Sequence, residues 1–302
     1  MIRRFKMNKK ALISLSLCFF TLAAMAQPQQ RELSAADKIQ QDQYNAFMAG
    51  MGDILPRMME LNQAYYKASN RDSVDALMKP YREAYIKRQS EYMEKYPTTA
   101  LAASFLRMEL GHMPLEKMKA AYDKLDATAR ETTSGKEIAA EIATLERVNP
   151  GKPAPDFTAN DLLTGKPFTL SSLKGKVVLL DFWASWCKPC RASNPNVKAL
   201  YEKYRKKGFD VVYVASDDSN PNAALKAIEQ DGIKKYHHVL SGLKEKRDAN
   251  GKMIGYDKSE DIGEKYAIHY LPTKYLIDRD GNIVGKVDDK ELDAKLKEIF
   301  GF

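Results

Sequence analysis

The sequence predicts a two-part fold, a small all-helical segment followed by an α/β region whose mixed sheet is flanked by helices. Three observations carry this. Apolar residues recur at helical spacing from about Leu33 to Val148. The stretch Asn149-Pro150-Gly151-Lys152-Pro153-Ala154-Pro155 then interrupts any helix with three prolines and a glycine. Beyond it strand and helix patterns alternate, led by the nearly unbroken apolar run Lys176–Trp183, as expected of a strand covered on both faces.

Residues 1–26 have the form of an export signal: a basic start (Arg3, Arg4, Lys6, Lys9, Lys10), an apolar run from Ala11 to about Ala24, and the small-residue site Ala24-Met25-Ala26. Cleavage is expected after Ala26, giving a signal peptide (1–26), a helical N-terminal domain (27–149) and an α/β domain (150–302) in a periplasmic protein. An uncleaved anchor is the alternative, though the apolar run is shorter than the roughly 20 residues of a bilayer span. Acylation at Cys18 fits less well, because Leu17 is bulky for such a site. Arg3-Arg4 resembles a twin-arginine signal only loosely, since Phe5 and Lys6 follow directly.

Within the helical half, Leu101, Phe105 and Met108, then Leu115, Met118, Tyr122 and Leu125, then Ile138, Ile142 and Leu145 keep helical spacing. Pro80 and Pro97 are expected to break or kink helices, and Gly111 to Pro114 to form a turn. In the second half, helices are expected over Lys188–Lys207, Asn222–Gln230 and Lys290–Phe300. Strands are expected at Lys176–Trp183, Asp210–Ala215, Lys274–Ile277 and Ile283–Val287, the last two joined by the turn Asp278-Arg279-Asp280-Gly281-Asn282. The charged stretch Ser241–Asp261, with three glycines, reads as a surface insertion.

Composition narrows the function. With 44% hydrophobic and 29% charged residues the chain is an ordinary globular one, not a disordered or collagen-like one. Loss of the signal's five basic residues lowers the formal charge from +8 to +3, and the remaining Lys and Arg are interspersed with Asp and Glu. No nucleic-acid partner is expected. Cys187 and Cys190 are then the only cysteines, so the pair is expected to be reactive rather than a staple.

The pair stands in Trp183-Ala184-Ser185-Trp186-Cys187-Lys188-Pro189-Cys190, where the buried strand runs into a helix. A thiol attacks as thiolate, and an ordinary cysteine with a pKa of about 8.5 is only slightly ionised at neutrality. The unpaired N–H groups and dipole of a helix start favour the anion, so Cys187 is the expected nucleophile. Cys190, one turn on, is the expected resolving thiol, and Pro189 is tolerated in a first turn. A zinc half-site would need two further ligands, and no second CxxC accompanies the pair; His237 and His238, being adjacent, point to opposite sides of a strand. No metal or other cofactor is expected beyond the redox-active Cys187–Cys190 disulfide. Asp181 is a carboxylate inside an apolar strand, on the face of Leu179 and Trp183, so burial should raise its pKa. It is the candidate acceptor for the proton of Cys190; an Asp reaching water at the strand end is the alternative.

The segment DFWASWCKPC resembles the active-site segment of the thioredoxin superfamily. With GKPAPDFTANDLLTGKPFTLSSLKGKVVLLDFWASWC upstream and KYAIHYLPTKYLIDRDGNIVGKV downstream, residues 150–302 look like the exported thiol-disulfide oxidoreductases of the TlpA and ResA type. The resemblance implies a thioredoxin-like sheet and exchange with protein thiols and disulfides in the cell envelope, fed by an upstream membrane electron donor. It also implies a cis bond before Pro272, where the backbone of Leu271 and Pro272 pairs with an extended substrate segment beside the thiols. Trp183 and Trp186 are expected to line that groove, with Lys188 and Pro189 at its edge. By the residues alone, Leu271-Pro272-Thr273 is only a turn or strand edge. The dipeptide Lys188-Pro189 and the long segment after His238 depart from the family. KYPTTALAASFLRMELG resembles N-terminal extensions of similar proteins from Bacteroidetes-like bacteria.

Reduction of disulfides is the expected direction, with net oxidation as the alternative, since one dipeptide or one hydrogen bond can shift a potential by about 30 mV. The peroxiredoxins share the entry strand, but Leu180 and Trp183 stand where their motif needs proline. A copper-handling protein using thiolates with Met48, Met51, Met58 and Met59 is a further alternative, against core packing of the same methionines. His269 is a candidate for the site's rim. Tyr65, Tyr66, Tyr81 and Tyr85 are candidates for a self-association face of the helical domain.

Overall fold

Helix-favouring sequence up to Ile142 and strand-rich sequence from Ala143 onward fold into two compact units in the computed structural model, which describes residues 33–301. The expected signal, with Cys18, lies outside the described residues. None of the described helices is long and apolar enough to cross a membrane.

The first unit is built from α1 (Ala35–Ala49), α2 (Ile54–Lys67), α3 (Arg71–Lys95), α4 (Ala100–Met108), α5 (Leu115–Tyr122), α6 (Ala127–Glu131) and the start of α7 (Thr133–Arg147). Side chains of Ser34, Asn70, Thr99 and Asp126 accept the first free N–H groups of α1, α3, α4 and α6. Short α4 is the centre: Leu101, Phe105 and Leu106 are buried along it, and Phe105 packs edge-on against Phe47 and Tyr92. Each such side chain contributes about 1.5–3 kcal/mol by leaving water. The helix boundary expected at Pro80 is absent, because α3 runs continuously through that residue. Four turns follow the proline within the same helix, enough to outweigh the one hydrogen bond it forfeits. Pro97 acts as expected: α3 ends at Lys95 and Tyr96 leaves helical geometry. Of the four methionines considered for copper, Met51 is buried and Met48, Met58 and Met59 are half-buried.

The second unit is a thioredoxin-like sheet of five strands: β3 (Val177–Trp183), β4 (Phe209–Ala215), β5 (His237–Leu240), β8 (Thr273–Ile277) and β9 (Ile283–Lys286). Their order is β5-β4-β3-β8-β9, with β3, β4 and β5 parallel and β8 and β9 antiparallel to their neighbours. All seven residues of β3 are buried, which its apolar run anticipates. One face packs Val177, Leu179 and Trp183 with α8 (Lys188–Tyr204) and α11 (Asp289–Phe300); the other packs Val178, Leu180 and Phe182 with Phe157, Tyr266 and Tyr275. Helix α9 (Pro221–Asp231) connects β4 to β5.

The extent of edge strand β5 escapes sequence reading, although His237 and His238 are read there as strand residues, because it is four residues long and opens on those two histidines. So does the short ladder of β1 (Thr158–Asn160) with β2 (Pro167–Thr169). Within the expected insertion, β6 (Lys244–Arg247) and β7 (Met253–Asp257) form an exposed hairpin, followed by the short helix α10 (Ile262–Lys265). β6 is wholly charged, and in β7 the adjacent Met253 and Ile254 break any apolar alternation, so no strand period shows there.

Candidate functional site

Strand β3 delivers the chain to Trp183, a short loop follows, and α8 starts immediately after Cys187, which is its N-cap. The cysteines are joined as a disulfide with Cα atoms 5.3 Å apart, inside the range that a bridge requires. The backbone N–H of Cys190 donates to Cys187 Sγ at 3.3 Å. A capping sulfur thus sits where free N–H groups and the helix dipole favour negative charge. Both cysteines are nearly covered, whereas Lys188 and Pro189 are exposed.

The two tryptophans part company. Trp186 is 69% exposed beside Cys187 and available to a partner. Trp183, expected in the groove, is 1% exposed, packed edge-on against Tyr213 in the core. Trp183 ends β3 on the α8 face, roofed by the helix that carries the thiols, whereas Trp186 lies in the loop beyond the strand.

The Leu271–Pro272 peptide is cis. Thr273, the next residue, pairs with Phe182, so the proline stands beside the end of β3 from which the cysteine loop departs. Leu271 packs against the cluster containing both cysteines. His269, three residues before Pro272, is exposed.

Asp181 is 1% exposed, so it does not reach water at a strand end. Burial is the main influence on its carboxyl and pushes the pKa up from 3.8 to about 7; Lys274 pulls it down and Asp289 pushes it up. Its Oδ2 lies 3.5 Å from the Lys274 ammonium, and Oδ1 has no hydrogen-bond partner among the described residues. A carboxyl that titrates near neutrality with one free oxygen can take and return a proton.

Residues that the sequence reading missed hold this arrangement. Asp217 accepts from the backbone N–H of Ser185 at 2.8 Å and from its hydroxyl at 2.5 Å, pinning the loop before Cys187. Asp231, at the end of α9, accepts from Arg191 and Asn194, and so ties the first turns of α8. Lys274 lies on β8 directly opposite Asp181. Asp217 follows the β4 strand pattern directly, a position where loops carry site residues; Lys274 stands out as a charge inside an apolar strand.

A strand running into a helix capped by one cysteine of a disulfide, beside a cis-proline and above a buried carboxyl, defines a thiol-disulfide oxidoreductase of the thioredoxin fold. The Redoxin family profile matches residues 149–297. The protein named thiol-disulfide oxidoreductase ResA from Bacillus thuringiensis is 34% identical over 162 residues, covering 52% of this chain and 83% of the relative. The ResA protein of Bacillus cereus is 35% identical over 156 residues, covering 52% and 79%. Among solved structures, the thioredoxin domain of a thiol-disulfide oxidoreductase from Bacteroides vulgatus is 31% identical, covering 50% of this chain and 98% of that one, with a TM-score of 0.41. The chain belongs to the ResA-like thiol-disulfide oxidoreductases of the thioredoxin superfamily.

Proposed function

We propose that this protein reduces protein disulfides outside the cytoplasm, with Cys187 attacking, Cys190 resolving and Asp181 accepting the proton of Cys190. The observation that carries the reading is the Cys190 N–H aimed at Cys187 Sγ at the start of α8. In the first step the Cys187 thiolate attacks one sulfur of a partner disulfide, a mixed disulfide forms, and the other partner sulfur leaves as thiolate. Cys190 then passes its proton to Asp181 and attacks Cys187. The Cys187–Cys190 bond forms, and the second partner sulfur leaves as thiolate. A dithiol donor at the membrane then gives two electrons by the same exchange in reverse: the donor becomes a disulfide and releases its two protons to solvent, Asp181 returns its proton to Cys190, and Cys187 is left as thiolate.

Trp186 and the backbone at Leu271 and Pro272 supply the surface on which an extended partner segment lies, with Lys188 and Pro189 at its rim. Export is supported by the pattern of residues 1–26. Of the tyrosines considered for self-association of the helical unit, Tyr66 is exposed and Tyr65, Tyr81 and Tyr85 are half-buried, and sedimentation of the full chain tests whether they join copies.

Cys187→Ser should abolish reduction of an insulin-type disulfide, whereas Cys190→Ser should trap mixed disulfides in the cell envelope. Equal activity of the two variants would overturn the assignment. Equilibration with glutathione tests direction: a potential near the −270 mV typical of thioredoxin, roughly, fits a reductant, and one near about −120 mV would make the protein an oxidant.

A further inference from the structure

Lysine is among the residues least often fully buried, and an ammonium taken from water is costly unless its donors are met. Lys274 nevertheless stands in the fully buried strand β8 and is only 4% exposed. Three oxygens surround its nitrogen: Ser193 Oγ at 3.1 Å, Asp181 Oδ2 at 3.5 Å and Asp289 Oδ1 at 3.5 Å. An ammonium has three donors, so this set can occupy all of them. The three acceptors differ in what they reach. Ser193 donates onward to the carbonyl of Cys190 at 2.8 Å, Asp181 is sealed beneath the sheet's helical cover, and the Asp289 side chain is 43% exposed at the start of α11.

We infer that Lys274 is a positioning residue for the resolving half of the reaction: its ammonium, held between Asp181 and Asp289, sets the ionisation of Asp181 and so the pH at which Cys190 can surrender its proton. This rests on the reading of Asp181 as proton acceptor. One cation is shared by two carboxyls, one dry and one wetted. Removing the cation leaves Asp181 buried with a free oxygen and no compensating charge, so it holds its proton at neutrality and cannot accept another. Neutralising Asp289 has the opposite effect, because it removes the competing negative charge and leaves the cation to Asp181.

The other groups facing this cluster do not supply that control. Tyr213, opposite Asp181 on β4, donates its hydroxyl to Asn194 Oδ1, and burial keeps the phenol neutral by pushing its pKa well up. Asp231 is engaged by Arg191 and Asn194. Ser193 is uncharged, and Cys190 is the proton's source.

The test uses the full chain and two readouts. Carbon-13 NMR titration of the Asp181 carboxyl, assigned by its absence in Asp181→Asn, gives its midpoint in the oxidised protein. The pH dependence of partner release from a mixed disulfide with 5,5′-dithiobis(2-nitrobenzoate) gives the kinetic limb. Lys274→Met should raise the midpoint by about one unit or more, a tenfold change in the protonation ratio. Asp289→Asn, at a half-exposed site that tolerates the change, should lower it, and Lys274→Arg should restore the wild-type value. The limb of release should move with the midpoint in each case. A purely structural lysine would leave both midpoints in place or move them the same way, and either result overturns the inference. If Asp181→Asn removes the limb while Lys274→Met and Asp289→Asn leave it at the wild-type pH, only this inference falls. If Asp181→Asn keeps the limb, the acceptor role of Asp181 falls with it.

Discussion

Replacing Asp181 by asparagine should change how stability depends on pH, and the size follows from the site. The carboxyl's pKa rises from 3.8 to about 7 on folding, chiefly through burial. A group raised in this way holds its proton more tightly in the folded chain. Its stabilising contribution is complete below pH 3.8 and is lost as pH climbs through about 7. Roughly three pH units at about 1.4 kcal/mol each make about 4 kcal/mol. The asparagine has no such dependence. It also deprives Lys274 of one acceptor, but that cost is constant across the window and cancels when only the change with pH is compared.

Urea unfolding at a series of pH values between about 3.5 and 8, on oxidised wild type and Asp181→Asn, measures it. Tryptophan emission is the probe, because both tryptophans, Trp183 and Trp186, lie in the second unit. The variant should gain on the wild type by about 4 kcal/mol from the acid to the alkaline end, with most of the change below pH 7. Other titrating groups are common to both proteins and drop out of the difference. Curves that stay parallel would mean that Asp181 titrates as an ordinary carboxyl, and the proton-acceptor chemistry would lose its basis.

Asp217→Ala removes both anchors of the Ser185 loop, one on its N–H and one on its hydroxyl. It should cost about 1–3 kcal/mol in urea unfolding and slow alkylation of reduced Cys187, and an unchanged alkylation rate would separate the loop from the thiol's reactivity. Gly135→Ala places a Cβ 2.3 Å from the Ala129 carbonyl oxygen at the start of α7, so the thermal midpoint of the helical signal should fall by several degrees. Asp288→Ala dismantles a capping box in which the carboxylate accepts from Glu291 N–H while the Glu291 side chain accepts from Asp288 N–H. The expected loss is about 1 kcal/mol of urea stability.

Much of this architecture is readable because it is local. A proline cluster, a seven-residue apolar strand and a following helix each announce themselves within a few positions. The all-buried β3 and the thiol pair at its exit belong to this class. Where local signals compete, reading fails: Pro80 sits inside a 25-residue helix whose continuation outweighs it, and β5 is too short and too polar at its start to show a strand period. Trp183 illustrates a subtler limit. Alternation assigns it to the α8 face, but whether that face at the strand's end is open or roofed depends on where the helix lands.

The chain's own order of residues determined the chemistry on offer: two thiols one helical turn apart at a strand-to-helix junction, with a carboxyl six residues before the first. Only the tertiary structure decided how that chemistry is controlled. Register sets Lys274 directly across from Asp181, the end of β4 brings Asp217 to the Ser185 loop, and the end of α9 brings Asp231 to α8. The physical reason is range. A helix dipole or an apolar period acts over one or two turns, whereas the charge that governs a buried carboxyl comes from whichever strand hydrogen bonding places beside it, and strand partners are chosen by the fold as a whole.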